Sequence, residues 1–87
     1  MADVVADPDK LRQFASSLSN SAGQLEAIAR QMQRGLEATG WRDSERQKFE
    51  QDFRQTVRSL SQFTERLRSQ YVPLLQKKAA ALDSFRS

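Results

Sequence analysis

The chain has 87 residues with no Cys and no His, 29% charged residues and a formal charge of +3. Those absences exclude disulfides, zinc centres and Ser-His-Asp or Cys-His nucleophilic catalysis, and carboxylates alone suit only hard cations. So short a chain is expected to form one domain and to gain stability by association rather than by covalent or metal staples.

Composition points to helix. Only 3 Gly and 2 Pro interrupt a chain rich in Leu, Gln, Arg, Ala and Glu, and β-branched residues are few. The expected class is all-α. Met1 to Ala6 reads as a loose leader without the apolar segment of a cleavable signal peptide. No apolar run approaches the ~18 residues of a membrane span.

Helix 1 is expected over about 8–38. Asp7 can cap it, Pro8 fits its first position and Asp9 places negative charge in the first turn. Leu11, Leu18, Leu25 and Met32 recur every seven residues. Phe14 and Ile28 form a second row, with Ala15, Ala22, Ala29 and Leu36 one position over. This is a heptad seam widened into a broad apolar face. Ser21 and Gly35 fall on the seam, where small residues favour close approach of a facing helix.

Residues 39–43 form the turn. Gly40 suits a left-handed C-cap, and Asp43 or Ser44 can cap the next helix. Trp41, the single tryptophan, reads either as a plug between the helix ends or as a recognition handle at the tip; Arg42 is expected to face solvent.

Helix 2 is expected over about 44–85. Phe53, Leu60, Leu67, Leu74 and Ala81 step by seven, with Phe49, Thr56 and Phe63 as a second row and Val57, Tyr71 and Phe85 beside it. Pro73 predicts a kink near residues 70–73, with a break into a third short helix as the alternative. Glu50 and Arg54 stand at i,i+4, as do Lys48 and Asp52, which reads as surface ion pairing rather than acid–base chemistry. No cofactor and no enzymatic activity are expected.

A short turn makes the two helices antiparallel. Two rods with wide apolar faces cannot bury them on each other alone. A dimer closing into a four-helix bundle is therefore expected, with Leu11, Phe14, Leu18, Leu25, Ile28, Met32, Phe49, Phe53, Leu60, Phe63, Leu67 and Leu74 as its core and dimer seam.

The Asp7-Pro8-Asp9-Lys10-Leu11 start, Trp41 in a central turn, and Phe49 and Phe53 beyond it resemble the WXG (Trp-Xaa-Gly) family, the Esx-like small helical hairpins of bacterial type VII secretion. The resemblance covers nearly the whole chain. It implies a secreted substrate or co-secreted adaptor, made in the cytoplasm and exported without a cleavable signal. The implied partners are an identical or paralogous hairpin and a secretion motor ATPase. The turn motif here is Gly40-Trp41-Arg42-Asp43, with Asp43 where the family has Gly. The family's C-terminal Tyr-x-x-x-Asp/Glu signal has no counterpart, since Leu75 stands four residues after Tyr71. In that scheme the partner subunit carries the signal.

Charge offers an alternative. Residues 1–43 carry five basic and six acidic side chains, net −1, and residues 44–87 nine and five, net +4. Arg54, Arg58, Arg66, Arg68, Lys77 and Lys78 could meet nucleic acid or an acidic protein. No base-reading motif or stacking aromatic accompanies them, so nucleic acid is the weaker reading.

Overall fold

The computed structural model describes residues 6–86, so Met1 to Val5 of the expected leader lie outside it. The Asp7 carboxylate accepts the Asp9 N–H at 2.9 Å, and Pro8, which has no N–H to satisfy, opens helix α1 over Pro8–Ala38. Thr39 closes α1, its hydroxyl donating to the Leu36 carbonyl at 2.7 Å. Gly40 follows at φ +68°, a left-handed geometry that a Cβ would strain. Helix α2 then runs over Ser44–Arg66, a π-helical turn over Leu67–Tyr71, and helix α3 over Val72–Arg86. The described residues are helical apart from the turn and the chain start, and they form a hairpin.

The hairpin is a rod of 65 × 20 × 18 Å with a radius of gyration of 19.4 Å. A globular chain of this length would have about 12 Å. Its accessible surface is 6961 Å², against about 5,200 Å² for a compact protein of its mass.

The innermost packing differs from the expected seam. Ala15, Ala22 and Ala29 of α1 are buried, whereas Leu11, Leu18 and Leu25 are half-buried at their edge. Facing them are Val57, Thr64 and Leu67, then Ala79 and Leu82. Alanines let the backbones close in, so the inner row is the one with the smallest side chains. Thr64 is accommodated because its hydroxyl donates to the Ser61 carbonyl at 2.8 Å, leaving its methyl to the core. Arg12–Asp83 and Glu26–Arg68 ion pairs stitch α1 to the returning segment. All four side chains are at least a third exposed, so each pair contributes only ~0.2–1 kcal/mol.

Pro73 explains the π-helical turn. In a regular α-helix its ring would clash with the Ser69 carbonyl. Here the chain widens just before it, and the Val72 N–H bonds back five residues to Leu67. One extra residue in that turn slips the heptad. Leu67 is the last buried member of its row; Leu74 is 64% exposed and Ala81 is exposed. Half-buried Leu75 and buried Leu82, seven apart, take up the inward positions instead.

Candidate interaction surfaces

The apolar sector of each helix is wider than its contact with the other. On α1 the unused half carries Phe14, Ile28 and Met32, all exposed. On the returning segment it carries Phe49, Phe63, Tyr71, Leu74 and Phe85, also exposed. Phe53 and Leu60 are half-buried between the two halves. Of the seam residues expected from sequence, only Leu67 is fully buried within the hairpin; the others lie at the edge of the intrachain contact or outside it.

Several of these outer residues lie together on the rod. Phe14 and Leu18 from α1 and Phe63, Tyr71 and Leu74 from the returning segment line a single groove of about 370 Å³. The π-helical turn shapes that groove, because the slipped register turns Leu74 outward. Two parallel rows run along the face at heptad steps. One reads Phe14, Ser21, Ile28, Gly35 and the other Phe49, Thr56, Phe63, so large and small side chains alternate. At Gly35 an added Cβ would meet nothing within 4 Å, so its own chain does not demand a glycine there.

The turn holds a second cluster. Trp41 is half-buried, neither a sealed plug nor a free handle. Its indole Nε1–H donates to Asp43 Oδ1 at 2.7 Å, and its ring lies tilted on Phe49 with centroids 5.6 Å apart. Phe49 in turn stacks on Phe53 at 5.4 Å. The same Asp43 oxygen accepts the Glu45 and Arg46 N–H groups at 3.0 and 3.2 Å, so Asp43, not Ser44, caps α2. Asp43 therefore joins the indole to the helix start, a role its cap chemistry made legible and its reach to Trp41 did not. Arg42 is exposed.

Arg46 is the residue that the sequence pattern missed. Its side chain is 12% exposed and bridges three parts of the fold. Nη1 donates to the Trp41 carbonyl at 2.8 Å, Nη2 to Glu37 Oε1 at 2.7 Å, and Nε stands 3.4 Å from Glu50. The only hint in sequence is its i,i+4 spacing to Glu50.

Replacing Asp43 by Ala is expected to cost about 1–2 kcal/mol, chiefly the lost cap, with the indole bond added. Asn, which keeps an acceptor oxygen, should recover most of it. Urea titrations of the two variants decide this, and equal midpoints for Ala and Asp would contradict the assigned role.

The basic residues form no single track. Arg54 is engaged by Glu50 and Arg68 by Glu26, while Arg58 and Arg66 flank a shallow depression that also contains Glu65. No described helix is long and apolar enough to cross a membrane. Set beside family models, curated proteins and solved structures, the chain matches none of them.

Proposed function

We propose that this chain is a non-enzymatic protein–protein interaction module, working as a pair of hairpins that closes into a four-helix bundle. The observation that carries the reading is the exposed face bearing Phe14, Ile28, Met32, Phe49, Phe63 and Leu74. A continuous face of this kind is rarely left to water and marks an association surface. The rod leaves a large surplus of accessible surface, and a stable interface needs about 800 Å² from each partner. The partner is an identical or a paralogous hairpin, since a surface built from antiparallel heptads is best matched by another of the same kind.

The alternation of large and small residues supports the same reading. A partner displaced by one heptad would set Phe14, Ile28 or Phe63 against Ser21, Gly35 or Thr56. Gly35→Gln is therefore expected to strengthen helix α1 by several tenths of a kcal/mol, up to about 1. It should nevertheless weaken association at least about tenfold by filling a seat with a bulky polar group. Thermal melts at low concentration and sedimentation at higher concentration read the two effects separately. Association as tight as that of the unaltered chain would contradict the seat.

For biological role we favour the resemblance to WXG proteins: a type VII secretion substrate or co-secreted adaptor, made in the cytoplasm and exported without a cleavable signal. The supporting feature is Trp41 in the turn, its ring tilted on Phe49, which in turn stacks on Phe53. In this scheme the paired subunit is a paralogous hairpin that contributes the Tyr-x-x-x-Asp/Glu signal, and the pair engages the motor ATPase. Comparing the protein in culture supernatants with and without the motor gene tests the export role. Loss from the supernatant without the motor is expected; equal amounts would reject the route.

A further inference from the structure

A second groove lies between α1 and α2 near the turn, and its chemistry is different. The alanine row that lets the helices close together ends at Ala29. Its next heptad position is Leu36, which lines the groove together with Glu50 and Phe53 of α2. The groove has a volume of about 580 Å³. Half-buried Leu36 and Phe53 contribute its apolar lining.

The charges around it are unbalanced. Glu37 is taken by Arg46, and Glu50 is shared between Arg46 and Arg54. Arg30 and Arg34 also line the groove, both exposed, and neither has an ion-pair or hydrogen-bond partner among the described residues. They sit at i,i+4, about 6 Å apart along one helix face. Two like charges so placed repel slightly and gain nothing from their own chain.

We propose that this groove binds an acidic amphipathic helix of a partner protein. Carboxylates one turn apart on that helix would meet Arg30 and Arg34, for which the guanidinium fork is well suited. Its apolar edge would lie on Leu36 and Phe53. A nucleic acid fits less well: Glu37 and Glu50 would repel phosphates, and the uncompensated charge covers one helical turn rather than a backbone-length track. The two arginines of the site lie away from the pairing face, although Phe53 stacks on Phe49 of that face. Arg30 is two residues from Ile28 and Arg34 two from Met32, which places each about 160° from the apolar row around α1. A second hairpin seated on that row would leave Arg30 and Arg34 exposed.

The test is fluorescence anisotropy with three labelled probes: a short helical peptide with Glu pairs one turn apart opposite a Leu edge, its Glu→Gln twin, and a single-stranded DNA oligonucleotide. Each is titrated with the full chain and with R30E/R34E, at low and high salt. The acidic peptide is expected to bind, and more weakly at high salt. The Gln twin and the R30E/R34E variant should each bind at least about tenfold more weakly. Circular dichroism should show the variant as helical as the parent, since both side chains are exposed; R30Q/R34Q, which adds no charge, serves if it is not. The proposal is overturned if the acidic peptide does not bind, if the Gln twin binds equally, or if the charge-altered variant binds as the parent does. DNA binding tighter than the peptide's and lost in R30E/R34E would overturn it in favour of a nucleic-acid groove.

Discussion

Phe14→Asp combined with Phe63→Asp should weaken association at least about 1000-fold, or about 4 kcal/mol. Both rings line the same apolar groove and are about half exposed in the single hairpin. Fully burying an exposed Phe contributes about 1.5–3 kcal/mol, so completing the burial of each half-exposed ring contributes roughly half of that, and in a symmetric pair each position counts twice. The aspartates add a desolvation cost wherever they are enclosed. Because neither ring belongs to the alanine-lined core, the monomer should keep its helix. Arg58→Glu, a surface change away from this face, is the control and should alter association by less than about threefold. Sedimentation of the three proteins across a dilution series reads the effect. Undiminished association of the double variant would mean that the apolar face is not the interface.

Arg46→Ala is expected to destabilise the hairpin by about 2–3 kcal/mol. The guanidinium is nearly buried and ties α1, the turn and α2 together through Glu37, the Trp41 carbonyl and Glu50. Removing one partner from an enclosed charge network costs more than the pair contributes, because the remaining group is stranded. The estimate is held below the buried-pair range because Glu37 is largely exposed and Glu50 keeps Arg54. Arg46→Lys retains the charge without the fork and should recover less than half of the loss. Urea denaturation at one fixed protein concentration, which holds any association term constant, reads the difference. A loss below about 0.5 kcal/mol would show that the turn does not depend on this clasp.

The two turn devices show how far sequence carries. Asp7-Pro8 and Gly40 announce their roles through local backbone chemistry, and the structure places them at a cap, a first turn and a positive φ. The heptads likewise delimit the apolar sector of each helix. They do not say which half of that sector meets the same chain, because that depends on which side chains let two backbones approach most closely. Ala15, Ala22 and Ala29 won that place over the larger leucines. Pro73 signals an interruption, but not that a π-helical turn absorbs it and moves Leu74 outward and Leu75 inward. Arg46, and the uncompensated Arg30 and Arg34, become visible only when the path of the turn and the ion pairs across it are known.

We propose that the hairpin is completed by a second one on its exposed apolar face. Sedimentation equilibrium on the purified chain tests it for the identical partner, and mixing with a paralogous hairpin tests it for a different one. A mass twice the 10.0 kDa of the chain, or the sum of the two hairpins, is expected at micromolar concentration. A mass that stays at 10.0 kDa under both conditions would contradict it.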